Sequence, residues 1–182
     1  MDNSNLSMDK LTRERLDHFS ENSPAIIYSC LTTENFPATF ISKNIEKILG
    51  YKPYQFISDP NFWISNLHPD EREKILNGLS GLFEKGSHHH EYRFRASNGE
   101  YKWFRDDLTL VANAAGEPVE IIGCMVDITD EVLIESAKAE LALKRTELEI
   151  QKARFEERVA LMQNVHDGFG SQLLAAKLMA SE

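Results

Sequence analysis

Three groups of residues in this chain carry chemistry beyond what folding needs. His166 and Asp167 put an imidazole next to a carboxylate. A neutral imidazole is a nucleophile near pH 7, and a carboxylate that accepts the proton of one ring nitrogen makes the other more electron-rich. Taken alone, such a pair is most often a solvated stretch of helix. His88, His89 and His90 precede Glu91 and raise a metal site as the second possibility. Successive strand side chains alternate, so His88 and His90 share one side and His89 takes the other. Two ligands fall short of zinc's usual three or four, and no metal site is expected. Cys30 and Cys124, the third group, are too few for a disulfide framework and lie in no metal-type spacing.

A helix must present the His-Asp pair. From Glu131 to Glu157 there is no Gly or Pro, and Glu, Lys, Arg, Ala and Leu dominate. Ile134, Leu141, Leu148, Phe155, Met162 and Phe169 recur every seven residues, which is coiled-coil periodicity. Three residues after the first five stand Ala137, Lys144, Gln151, Arg158 and Val165, so one stripe of the seam is apolar throughout and the other is mixed. The pattern predicts a parallel homodimer through residues 131–165, marginally stable and able to shift register at low cost. His166 follows Met162 by four residues, so it flanks this seam. Gly168 and Gly170 each cost about 1 kcal/mol relative to Ala inside a helix, which predicts a weak box around the pair.

Ahead of that helix the composition is mixed. Leu11, Arg15, Leu16 and Phe19 fit one side of a short N-terminal cap helix. Ala25 to Leu31 and Ala38 to Ser42 read as strands. Asn44 to Gly50 reads as a short helix with Asn44 as N-cap and Gly50 as stop, a second follows Pro53, and a longer one runs from Asp70 to Lys85. In His88 to Ala96, Tyr92 and Phe94 alternate with Glu91, Arg93 and Arg95, as a strand requires. Asn98-Gly99 signals a hairpin into Tyr101 to Val111, and Asn113 to Gly116 links that strand to Val119 to Asp127. The order predicts an α+β domain, one antiparallel sheet with helices on one face.

This order, with the words WISNLHPD (Trp63 to Asp70), EYRFR (Glu91 to Arg95), NGEYKWF (Asn98 to Phe104) and IGCMVDIT (Ile122 to Thr129), resembles the PAS family of sensor domains over residues 20–130. The resemblance implies a five-stranded PAS fold. It also implies a signalling junction at Asp127, Thr129 and Asp130, where sheet movements pass into the outgoing helix; as plain chemistry, Thr129 or Asp130 serves equally well as a helix cap. The aromatics Phe62, Trp63, Phe94 and Trp103 are candidates to line an interior pocket. Neither cysteine stands in the flavin-adduct motif of the light-sensing PAS branch, and His68 is already explained by its HPD word, so neither flavin nor haem is expected and the cofactor is left unknown.

A second resemblance begins at Glu157. ERVALMQNVHDGFGSQL is similar to the phosphoacceptor box of histidine kinases whose partner response regulators carry helix-turn-helix outputs. It implies that His166 is phosphorylated by in-line attack on the γ-phosphorus of ATP and that Asp167 is the general base. The phosphatase motif of that class has an amide four residues after the Asp; here that position is Ser171, and Gln172 comes one residue later. The expected organisation is a cap helix over 1–19, a PAS sensor over 20–130, a coiled-coil helix over 131–156 and the first part of a dimerisation and phosphotransfer domain over 157–182. ATP and Mg would belong to a further domain, leaving this stretch inactive alone. A non-enzymatic PAS dimerisation or ligand-binding module with another output is the competing expectation.

The balance of the 182 residues is acidic, with a formal net charge of −9. This speaks against sequence-independent nucleic-acid binding, which needs Lys and Arg on phosphates. No run reaches the roughly 20 apolar residues of a membrane helix and the N-terminus has no apolar signal segment, so the segment is expected in the cytoplasm, off the membrane.

Overall fold

The computed structural model describes residues 14–15 and 18–179, with side chains described up to residue 163. The expected N-terminal cap helix falls mainly on residues outside this range, although residues 18–22 are helical. Two units divide at Val132 and Leu133.

The first unit is built on five strands: β1 (Ala25–Leu31), β2 (Ala38–Ile41), β3 (Ser87–Arg95), β4 (Tyr101–Ala112) and β5 (Pro118–Asp127). They form one antiparallel sheet in the order β2-β1-β5-β4-β3. β3, β4 and β5 are the expected meander. The Asn98-Gly99 turn places Gly99 at φ 90°, and the Asn98 side chain accepts from the Glu100 N–H.

Five short helices separate β2 from β3: α1 (Ile45–Leu49), α2 (Pro53–Ser58), α3 (Phe62–Asn66), α4 (Pro69–Gly78) and α5 (Ser80–Lys85). The sequence pattern predicts three, with one helix from Asp70 to Lys85. The structure divides it at Leu79, after Gly78, a weak helix former, and beside Gly81. The space over Gly78 is used by the His88 imidazole, 3.4 Å from where a Cβ would stand. Gly50 ends α1 as expected, in the left-handed region at φ 76°, with its N–H on the Glu46 carbonyl. Asn44 differs from expectation: it makes no cap bond, and its buried amide donates to the carbonyls of Ser23 and Ala25, tying α1 to the start of β1. Pro69 opens α4 behind His68, whose Nδ1 accepts from the Asp70 N–H.

The core lies where the helices cover the sheet. Ile26, Tyr92, Phe94, Phe104 and Met125 from the strands meet Ile45, Leu49, Phe56 and Ile75 from the helices. A neighbouring cluster joins Leu79 and Leu82 to Cys30, Leu108 and Ile121. Alternation decides which strand residues enter, for β4 buries Phe104, Asp106 and Leu108 and turns Arg105 and Asp107 to the other face. The second unit is one helix, α6 (Thr129–Met179), whose first turn belongs to the first unit. It runs through Gly168 and Gly170 without a break.

Candidate functional site

The interior holds an apolar cavity of about 50 Å³. It is lined by strand residues such as Tyr28, Cys30 and Ile121 and by Phe56, Trp63 and Leu79 from the helices. Its few polar groups are already engaged. Tyr28 Oη donates to both oxygens of Asp106 at 3.0 Å, Tyr92 Oη donates to Asp106 Oδ2 at 2.9 Å, and Trp63 Nε1 donates to Tyr92 Oη at 3.2 Å. Asp106 is fully buried, and His90 Nε2 stands 3.5 Å from its Oδ2. Burial first, then the Asp106 charge, pushes the Tyr28 and Tyr92 hydroxyls well above the ordinary tyrosine range. The Cys30 thiol is pushed up to about 12, again by burial first and then by Asp106 and Glu120.

Of the four aromatics expected to line the pocket, Trp63 does. Phe62 and Phe94 pack on Phe56 at centroid distances of 4.5 and 6.0 Å, in the adjoining core. Trp103 is a correction: it alternates with Phe104 and so lies on the opposite face of the sheet, where the Arg93 guanidinium sits 5.3 Å from its ring centroid. The Tyr28–Tyr92–Asp106–His90 cluster was missed from sequence, yet a signal existed. The alternation of WFRDDL places Asp106 in the inward set with Phe104 and Leu108.

His88 and His90 stand on one side of β3 as expected, with ring centroids 5.1 Å apart. Among the described residues no group of three His, Cys, Asp or Glu side chains is arranged to hold a metal.

The junction at the end of β5 is tightly bonded. Asp127 Oδ1 accepts from the Thr129 N–H at 3.0 Å and from Thr129 Oγ1 at 2.6 Å, so Asp127, rather than Thr129 or Asp130, caps the first free N–H of α6. Thr129 Oγ1 in turn accepts from the Trp103 N–H at 3.0 Å, and the Ile128 N–H bonds the Trp103 carbonyl. Lys102 Nζ reaches Asp127 Oδ2 at 2.8 Å. Partial burial alone would raise the Asp127 carboxyl, but the bonds from Lys102 and Thr129 outweigh it and hold the group below the usual carboxylate range. Asp130 is exposed in the first helical turn, where its charge favours the helix dipole. Glu131, next in that turn, accepts from Arg105 at 3.4 Å.

Farther along α6, Ile134, Leu141, Leu148, Phe155 and Met162 are each more than half exposed within one chain. His166, Asp167, Ser171 and Gln172 lie on the helical backbone, and their side chains fall outside the described residues. Among the described residues no helix is long and apolar enough to cross a membrane.

A five-stranded antiparallel sheet in this order, its helices between the second and third strands and a long helix leaving the fifth, is the PAS fold. The family model described as "PAS fold" matches residues 38–125. A methyl sulfide methyltransferase-associated sensor of Methanosarcina acetivorans is 28% identical over 120 residues, 65% of this chain and 12% of that protein. The two-component sensor PprA of Pseudomonas aeruginosa is 24% identical over 131 residues, 69% of this chain and 14% of that protein. The chain thus spans about an eighth of the length of these curated relatives. A solved sensory box histidine kinase/response regulator from Burkholderia thailandensis superposes with a TM-score of 0.55 at 26% identity, covering 74% of this chain and 97% of that one. The first unit has the PAS fold and resembles the sensor domains of these proteins.

Proposed function

We propose that the chain is the input and phosphoacceptor portion of a cytoplasmic two-component sensor histidine kinase. The observation that carries this is the junction, where the last PAS strand passes directly into the first turn of a 51-residue helix bearing an apolar seven-residue stripe. A shift of β4 against β5 would move Trp103 and Lys102, and with them the Thr129 and Asp127 side chains that start the helix. Two such helices in a parallel homodimer would bury the stripe and bring two copies of the box together.

At the box, a His166 ring nitrogen attacks the γ-phosphorus of ATP, the bond to the ADP oxygen breaks, and Asp167 accepts the proton of the other ring nitrogen. The phosphoryl group then passes to an Asp of a response regulator of the helix-turn-helix class. ATP and Mg are held by a separate domain of the parent protein. Ser171 offers no amide where the phosphatase motif places one, so dephosphorylation of the regulator is not assigned to Ser171 or Gln172. In the sensor lobe the cavity, at 50 Å³, is about a third of the roughly 150 Å³ that holds a benzene, so no ligand is assigned to it.

The test is phosphotransfer in the parent protein with labelled ATP. Incorporation that disappears in His166→Gln, while the PAS unit stays folded, supports the assignment. Label retained in that variant leaves the competing reading, a PAS module driving another output.

A further inference from the structure

The interior of the PAS unit contains an electrostatic mismatch. Asp106 is completely buried on β4, and the hydrogen bonds it accepts come from the phenols Tyr28 and Tyr92. Neutral donors alone leave a buried carboxylate poorly compensated. Opposite Asp106 in the β3–β4 register stands His90, 8% exposed, with neither ring nitrogen hydrogen-bonded and Nε2 3.5 Å from the carboxylate. Each half of the pair lacks what the other supplies once a proton is added.

We propose that His90 and Asp106 form a proton-linked pair, and that proton uptake from solvent at His90 is a signal the PAS unit reads. The gained proton makes an imidazolium that compensates Asp106; its loss leaves the carboxylate to the two phenols. Histidine is the side chain that ordinarily changes charge between about pH 5 and 8.

The surroundings are compatible with one added charge here. On β3, Tyr92 and His88 flank the ring, each at a centroid distance of 5.1 Å. His88 is held below its ordinary value by burial first, then by His90, His89 and Lys85 of α5. On β1, Tyr28 and Cys30 feel the Asp106 charge, as does Cys124 on β5. From α4, the acidic groups Asp70 and Glu71 are engaged by Arg93.

Two routes lead outward. Tyr28, and Trp63 through Tyr92, carry the pair's hydrogen bonds to the cavity wall. The next pair along the same ladder is Glu91 with Arg105, and Arg105 also reaches Glu131 in the first turn of α6. Use of the proton as a signal rests on the sensor reading above; the titration does not.

The experiment takes the 182-residue chain from pH 6 to 8. In the unmodified protein the Trp63 Nε1–H resonance and the amides of Thr129 to Val132 are expected to move with one histidine, identified by its absence in His90→Gln. A Trp63 resonance that follows no histidine, or one that still follows the same histidine in His90→Gln, overturns the proposal. Should His90→Gln not fold, the resonance measurement on the unmodified chain still decides. A silent pair with intact His166 labelling removes the proton role alone; a responsive pair in a parent that never labels His166 removes the kinase assignment alone.

Discussion

Cys30 shows how one buried carboxylate conditions its neighbours. Its thiol is 6% exposed, and burial, then the charges of Asp106 and Glu120, move it up to about 12. An unfolded cysteine ionises near 8.5, so between these values the unfolded chain has released a proton that the folded one keeps. A folded-state value raised in this way contributes stability that is fully present below about pH 8.5 and drains away as pH rises toward 12. By pH 11 the difference amounts to roughly 3 kcal/mol. Denaturant unfolding at pH 8 and 11 should therefore show the unmodified chain losing about that much more than Cys30→Ala; burial and Asp106 raise Tyr28 and Tyr92 in both chains, and Cys30 adds only a lesser contribution at Tyr28. Equal losses would place the alkaline sensitivity elsewhere. Gly123 belongs to the same neighbourhood, since a Cβ there would meet the Tyr28 ring that reaches Asp106. None of this lay in residue types alone: the alternation along β4 pointed Asp106 inward, but its partners come from β1 and β3, which only the strand order brings together.

Among elements, legibility followed how local the deciding interaction is. The meander was readable because Asn98-Gly99 and the two-residue alternation act over a few residues. The break at Leu79 was not, because apolar spacing from Ile75 to Phe83 continues across it and the feature that settles there, the His88 ring, arrives from β3. Trp103 falls outside the pocket because its odd-even position on β4, and not its aromatic character, decides which face it takes. The junction was readable as a helix start, while the division of labour between Asp127 and Thr129 depended on β4 offering the Trp103 N–H. That arrangement predicts a specific loss. Thr129→Val deprives Trp103 N–H of its acceptor and Asp127 of a donor, and should cost about 1 kcal/mol at pH 7. Asp127 is held below the ordinary carboxylate range, so its contribution is present above about pH 4 and lost as pH falls through its folded value. The gap between the two proteins should accordingly narrow as pH falls below 4 without closing, because the Trp103 N–H bond does not titrate; a gap that stays constant would mean the hydroxyl acts without the carboxylate.

At the scale of the molecule, two units of different physical character meet within one continuous helix. The first has its own core and buries Tyr92, Phe94 and Phe104 completely, so its stability is intramolecular. The second is a single helix whose apolar stripe is exposed in one chain, with Leu148, Phe155 and Met162 at 67, 68 and 75%. A lone helix gains little from propensity and local ion pairs such as Lys144 with Glu140, so in the proposed homodimer its order beyond residue 132 would come from burying that stripe against a second copy. The two units should then melt by different laws. Helix loss followed at 222 nm should move to higher temperature as protein concentration rises, because association stabilises the folded helix by mass action. The fluorescence of Trp63 in a Trp103→Phe chain reports the core of the first unit and should melt at a temperature set far less by concentration. Leu148→Lys with Phe155→Lys should erase the concentration dependence and leave the Trp63 transition in place. A helix signal that melts at one temperature across a hundredfold range of concentration, already in the unsubstituted chain, would remove the dimer and with it the route by which two His166 boxes are brought together.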